Sequence, residues 1–82
     1  MTRTQVFQEV VQLMKGRFQK VDGKTITEED RLEEDLVLDS LDKIDFWLEV
    51  EEKYMIDVPQ TEVFAITTVK DVIDLVCKYM KA

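Results

Sequence analysis

Apolar residues recur at steps of three and four in separate segments of this 82-residue chain. In the first segment they are Val6, Phe7, Val10, Val11, Met14 and Phe18. In the last segment they are Val69, Val72, Ile73, Val76 and Met80. This spacing gives an α-helix one apolar face and does not match the two-residue alternation of a strand. The pattern therefore predicts an all-α fold.

A further helix is predicted in the middle of the chain, from Asp39 or Ser40 to about Tyr54. Asp39 suits the N-cap, and Asp42 three residues later completes an imperfect capping box, with Asp where Glu or Gln is preferred. Pro59 cannot continue a helix, although it can stand at the start of the next one. The middle helix is therefore expected to end before this proline.

A connection of some twenty residues separates the first two helices, with Gly23 as a helix breaker. A connection this long is unusual in a small domain. Its scattered apolar residues are Val21, Ile26, Leu32 and Leu36. We expect these residues to fix an ordered loop to the core, with a short turn of helix in the loop.

The remaining boundaries complete a small four-helix bundle. Thr4 is a candidate N-cap for the first helix, and Thr68, with Asp71 three residues later, is one for the last. A short helix is predicted around residues 61–64. Three main helices, this short helix and the long loop form one domain over residues 1–82, a size near the lower end for a self-sufficient core.

The composition excludes several functions. The chain has no histidine and one cysteine, so zinc sites built from Cys and His are ruled out, and so is an internal disulfide. No metal site is predicted. An EF-hand is also excluded, because no Asp-x-Asp-x-Asp-Gly loop with a closing Glu is present. No segment is long and apolar enough for membrane insertion, and no signal peptide is recognisable, so a cytoplasmic protein is expected. A monomer is also expected.

The charge is concentrated in the middle of the chain. The formal net charge is −7, but residues 28–57 alone contain thirteen acids and three bases, a local charge of −10. Such a region repels nucleic acid and attracts basic protein surfaces.

Four acids of the middle helix fall within an arc of about 80° around its axis. This acidic stripe consists of Asp42, Asp45, Glu49 and Glu52. Neighbouring acids at these spacings repel one another. Lys43 and Lys53 lie toward the edges of the stripe, so it is expected to be uncompensated and free for the cations of a partner. The alternative is an ordinary solvated helix face.

Ser40 is predicted at the N-terminus of the middle helix. The unpaired backbone N–H groups there stabilise a negatively charged substituent. Because the chain has no histidine to activate the hydroxyl, Ser40 suits modification by another enzyme better than catalysis. The alternative is that it only caps the helix.

Residues 33–59, EEDLVLDSLDKIDFWLEVEEKYMIDVP, and residues 66–76, ITTVKDVIDLV, resemble the discrete acyl carrier proteins of type II fatty acid and polyketide synthesis. The resemblance covers almost the whole chain. Its motifs are Glu34-Asp35-Leu36, Asp39-Ser40-Leu41-Asp42, Asp57-Val58-Pro59 and Ile66-Thr67-Thr68-Val69.

This resemblance implies a non-enzymatic carrier. Ser40 would receive 4′-phosphopantetheine from coenzyme A through a phosphodiester, and the thiol of this arm would carry an acyl group as a thioester. The implied partners are a phosphopantetheinyl transferase (holo-acyl-carrier-protein synthase) and acyl-transferring, condensing and reducing enzymes with basic patches.

The resemblance also implies two sets of further site residues. The partner-recognition residues would be Asp39, Leu41, Asp42, Asp45, Glu49 and Glu52. The acyl pocket would be formed by Phe46, Trp47, Val50, Val58, Val63, Ile66, Val72 and Leu75.

Four residues depart from the family pattern. Val37 stands where Gly is usual, which suggests a different backbone because β-branched residues tolerate positive φ poorly. Lys43 is expected to place a positive charge at the docking edge. Phe46 and Trp47 are bulkier than the usual aliphatic residues. We hypothesise that they reshape the pocket of a specialised carrier; the alternative is that they only repack the core.

Two other functions are left open by the sequence. One is a carrier of another cargo, such as D-alanine or another amino acid. The other is an acidic helical adaptor in which Ser40 is never modified.

Overall fold

Four α-helices form the bundle in the computed structural model, which describes residues 2–80. They are α1 (Arg3–Arg17), α2 (Ser40–Tyr54), α3 (Gln60–Phe64) and α4 (Val69–Tyr79). A 3₁₀ turn, Gln19–Val21, follows α1. No β-strand occurs within residues 2–80, so the predicted all-α bundle of three main helices and one short helix is confirmed.

The start of α1 differs from the prediction. Its N-cap is Thr2 and not Thr4: the Gln5 N–H donates to Thr2 Oγ1, and the Thr2 N–H donates to Gln5 Oε1 at 2.9 Å. The sequence explains the difference. Gln5 lies three residues after Thr2 and completes a capping box, whereas Phe7, three residues after Thr4, has no side-chain oxygen to do so.

The caps of α2 and α4 are those predicted. The Asp42 N–H donates to Asp39 Oδ1 at 2.9 Å, and the Asp39 N–H donates back to Asp42 Oδ2 at 3.3 Å. Thr68 and Asp71 form the same reciprocal pair at the start of α4. The shorter Asp side chain at the third position therefore suffices to close a capping box in both helices.

The core lies where the helices meet. Its buried side chains come from one face of each helix and from the segments between the helices, and helix α1 packs against both α2 and α4. Helix α3 packs on α2 and contacts α4 through Glu62, which accepts hydrogen bonds from Tyr79 Oη and Lys78 Nζ. The hydrogen bond from Tyr79, and to a smaller extent that from Lys78, lowers the pKa of Glu62.

The long loop is ordered and firmly attached. All four predicted anchors are buried, and so is Leu38. The loop also bonds to the segment that begins α4: the Leu32 N–H donates to Thr67 O at 2.9 Å, and the Val69 N–H donates to Asp30 O at 3.0 Å. The path of the loop, and with it the position at which α2 begins, is therefore fixed by these contacts.

Candidate functional site

Ser40 is the first residue of α2, and its side chain is exposed. The two acids beside it are engaged locally, because Asp39 and Asp42 cap the helix. Asp42 Oδ2 also lies 3.2 Å from Lys20 Nζ. A substituent on the Ser40 hydroxyl would therefore meet the positive end of the helix dipole, with part of the neighbouring negative charge already neutralised.

Val37, three residues before Ser40, has left-handed backbone geometry, with φ 57°. Its side chain is 59% exposed, whereas Leu36 and Leu38 on either side are both buried. The Leu38 N–H donates to Leu32 O at 2.8 Å. Burial of the two leucines and this bond fix the turn, although left-handed geometry costs a residue with a Cβ about 1–2 kcal/mol. Val37 therefore adopts a positive φ although it is β-branched.

The acidic stripe of α2 is partly neutralised within the chain. Arg17, the last residue of α1, lies 3.4 Å from Glu49 and 3.8 Å from Asp45. With Lys20 on Asp42, three of the four acids have a cation beside them. The expectation of an uncompensated stripe is therefore wrong. The lysines of α2 itself lie beside other acids, whereas the cations beside the stripe come from the end of α1 and the turn after it.

These contacts border an open groove of about 610 Å³ between α1 and α2, lined by Arg17, Asp42, Asp45 and Glu49. Among the described residues, Glu52 has no cation within 4.0 Å. Leu41 lies beside the stripe and is largely exposed. The stripe thus presents one unpaired acid and three paired ones, next to an apolar side chain.

Lys43 does not lie at the docking edge as expected. Its side chain is only 10% exposed, and Nζ donates to Ile66 O at 2.9 Å and lies 3.5 Å from Glu33 Oε1. The carbonyl before α4 and the loop carboxylate draw the ammonium group inward. Lys43 thereby links the first turn of α2 to the segment before α4.

The eight residues of the predicted acyl pocket do not surround one cavity. Trp47, Val58 and Val63 line a cavity of about 50 Å³ between α2 and α3. Ile66 and Leu75 instead line a separate depression of about 230 Å³ against α4. The remaining three, Phe46, Val50 and Val72, are buried and line neither space.

The two bulky residues have different surroundings. The Phe46 ring packs against that of Phe18, with centroids 6.4 Å apart. Trp47 lines the cavity, and its Nε1 is buried without a hydrogen-bond partner among the described residues. A buried donor without a partner lowers the free energy of unfolding by about 1–3 kcal/mol. Core packing alone therefore does not explain why a tryptophan occupies this position.

Further residues of the cavity are absent from the sequence prediction. They are Ile44, Leu48, Glu51, Gln60 and Phe64. The three that belong to α2 share its face with Trp47 at helical spacing and were detectable from the sequence. The two from α3 were not, because their position depends on how α3 packs on α2.

The far end of α2 is bonded to α1. Tyr54 Oη donates to Glu9 Oε1 at 2.8 Å. Burial of the ring, and then this bond, raise the pKa of Tyr54.

Among the helices of residues 2–80, none combines the length and apolar character that crossing a bilayer requires.

Comparison with known proteins gives the same family in sequence and in structure. The family model described as "Phosphopantetheine attachment site" matches residues 8–76. An acyl carrier protein of Rubrobacter xylanophilus is 33% identical over 82 residues, covering all of both chains. One from Rickettsia typhi is 38% identical over 80 residues, covering 98% of this chain and 87% of that protein.

Two solved structures are similar to this fold. The acyl carrier protein of Thermotoga maritima aligns with a TM-score of 0.86 and 30% identity, covering 96% of this chain and 91% of that one. The acyl carrier protein of Enterococcus faecalis aligns with a TM-score of 0.77 and 25% identity, covering 96% and 99%.

Proposed function

This chain belongs to the phosphopantetheine-attachment family of acyl carrier proteins, and we propose that Ser40 is the residue that receives its arm. As a member of this family the chain is a carrier and not an enzyme, and its prosthetic group is a covalently attached 4′-phosphopantetheine. When attached, this group supplies a thiol that holds an acyl chain as a thioester. The exposed position of Ser40 as the first residue of α2 is the observation that carries the assignment.

The residues around Ser40 fit an anionic phosphodiester. The N-terminus of α2 favours negative charge at this point, because its unpaired backbone N–H groups carry partial positive charge. Lys20 also partly neutralises the negative charge of Asp42. The chain has no histidine to remove the hydroxyl proton, and the carboxylates of Asp39 and Asp42 accept the hydrogen bonds of the helix cap, so we assign the base to the transferase. The hydroxyl oxygen forms the new bond to phosphorus while the nucleotide half of coenzyme A leaves.

The partner surface is proposed to be the start and the acidic stripe of α2. Interaction with a phosphopantetheinyl transferase and with biosynthetic enzymes follows from the family. We assign their recognition to Asp39, Leu41, Asp42, Asp45, Glu49 and Glu52. These residues are at least partly accessible and combine negative charge with one exposed leucine. Weak, salt-sensitive contacts of this kind allow one carrier to visit many enzymes.

The pathway is proposed to be fatty acid or polyketide-type synthesis, with residues 1–82 acting as a single carrier domain. The match to discrete acyl carrier proteins over nearly the full chain supports both statements. Trp47 beside the small cavity supports a specialised cargo.

The assignment of Ser40 is tested by modification in vitro. The protein is incubated with coenzyme A, magnesium and a promiscuous phosphopantetheinyl transferase, and its intact mass is measured. We expect a gain of one arm that is lost in Ser40→Ala and retained in Thr67→Ala, which removes an exposed hydroxyl elsewhere. Ser40 is the only serine of the chain. Absence of the gain under conditions that modify a known carrier, or a gain that survives Ser40→Ala, contradicts the proposal.

A further inference from the structure

The indole N–H of Trp47 has no hydrogen-bond acceptor in the part of the chain that the structure describes. Trp47 is 3% exposed, and its Nε1 is the buried side-chain polar atom without a partner among residues 2–80. Buried donors of this kind are rare, and each calls for a specific explanation.

The cavity beside this residue lies within reach of a group attached at Ser40. Trp47 follows Ser40 by seven residues, about 10 Å along the helix axis. The cavity measures about 50 Å³, enough for only a few atoms. Ile44 and Leu48 give it apolar walls, so the atoms that enter it are expected to belong to an acyl chain.

The polar groups of the cavity restrict the chemistry of those atoms. Glu51 lines the cavity, and its Oε2 accepts the Val58 N–H at 2.9 Å. A second carboxylate in this space would meet the negative charge of Glu51. A purely alkyl chain would leave Trp47 Nε1 unpaired. A neutral oxygen on the chain avoids both penalties.

We propose that this carrier prefers an acyl cargo bearing a neutral oxygen, as a hydroxyl or ketone, and that the Trp47 indole N–H donates a hydrogen bond to it. The inference rests on the proposed function, since the cargo has to be attached at Ser40. It assigns Trp47 as a specificity residue that contacts the cargo.

The experiment compares cargoes that differ only in this oxygen. The transferase loads the protein from octanoyl-, 3-hydroxyoctanoyl-, 5-hydroxyoctanoyl- and 5-oxooctanoyl-coenzyme A, and intact mass confirms loading. Because Trp47 is the only tryptophan, its indole N–H gives one signal in a ¹H–¹⁵N spectrum. We expect at least one oxygenated chain to move this signal downfield and to slow its exchange with solvent about fivefold relative to octanoyl, as a net hydrogen bond does.

Two variants separate the donor from general packing. Trp47→Phe removes the N–H, and we expect the loaded forms to lose any difference in melting temperature between oxygenated and octanoyl cargo. Phe46→Leu, at the neighbouring buried position that packs toward Phe18, should keep that difference. If Trp47→Phe does not fold, the wild-type indole signal still decides.

The outcomes separate the two proposals. No mass gain at Ser40 overturns the proposed function. Normal loading with the same indole signal for all four cargoes overturns only the role of Trp47. Persistence of cargo discrimination in Trp47→Phe overturns it as well.

Discussion

Removing Arg17 should strengthen docking of basic partners on α2. In the folded chain its guanidinium lies beside both Asp45 and Glu49, so a partner that uses these acids has to displace it. The substitution Arg17→Gln keeps a long polar side chain and frees both carboxylates. Docking on the acidic stripe then no longer competes with a contact inside the carrier.

The expected size of the effect follows from the geometry. The two pairs span 3.4 and 3.8 Å, and all three side chains are partly exposed. Exposed ion pairs contribute about 0.2–1 kcal/mol, so releasing both should favour docking by about 0.5–1 kcal/mol. That free energy corresponds to a gain of about twofold to fivefold in affinity.

Arg3→Gln provides a matched control. Arg3 also bridges two carboxylates, those of Glu28 and Asp74, but it lies away from the acidic stripe. Both substitutions change the formal net charge equally, so a general charge effect cancels in the comparison. The contrast therefore reports on the position of the cation.

The assay is the KM of the phosphopantetheinyl transferase for each variant at several salt concentrations. We expect KM to fall about twofold to fivefold in Arg17→Gln at low salt and to fall less in Arg3→Gln. The difference should shrink as salt increases, because the screening length shortens from about 10 Å at 0.1 M to about 3 Å at 1 M. Equal KM values for the two variants, or weaker docking of Arg17→Gln, would refute the reasoning.

Two further predictions concern stability. Val37→Gly should remove about 1–2 kcal/mol of strain from the left-handed backbone of the folded state. Glycine also gives the unfolded chain more conformational freedom, which destabilises the fold by about 0.5–1 kcal/mol. The net effect should raise the melting temperature by a few degrees. Val37→Ala should not raise it, because alanine also disfavours positive φ; equal behaviour of the two variants would contradict the strain argument. The pKa of Tyr54 is raised in the folded chain, chiefly through burial. The neutral Tyr54 side chain therefore contributes fully to folding stability below the unfolded pKa of about 10, and this contribution is lost as pH rises above that value. Urea midpoints between pH 8 and 11 should therefore fall less steeply in Tyr54→Phe, and parallel curves for the two proteins would be inconsistent with this assignment.

Local signals in the sequence were sufficient for the helices and for two of the three capping boxes. Apolar spacing and the pairs Asp39–Asp42 and Thr68–Asp71 involve residues within one turn of each other, so short-range physics determines them. The prediction of Thr4 as the start of α1 is wrong, because Thr2 offers the same hydroxyl and is the N-cap. Only the side chain three residues later distinguishes them.

The environment of the site depended on contacts distant in sequence. Helical periodicity places the acidic stripe on one face of α2, but it does not reveal that Arg17 packs beside it. It also gives no sign that Lys43 turns inward to Ile66 O, or that Trp47 borders a cavity completed by α3. These features depend on how the helices pack together, which a single chain's local pattern does not encode.

The attachment of the loop to the start of α4 affects how the interior can swell. Backbone hydrogen bonds join residues 30–32 to residues 67–69, so this flank of the molecule resists separation. The five-residue α3, by contrast, lacks a side-chain cap and is bonded to α4 through Glu62. A cargo too large for the interior described above should therefore push α3 outward and break the Glu62 contacts first. The length of the acyl chain would then determine how far the smallest helix is displaced.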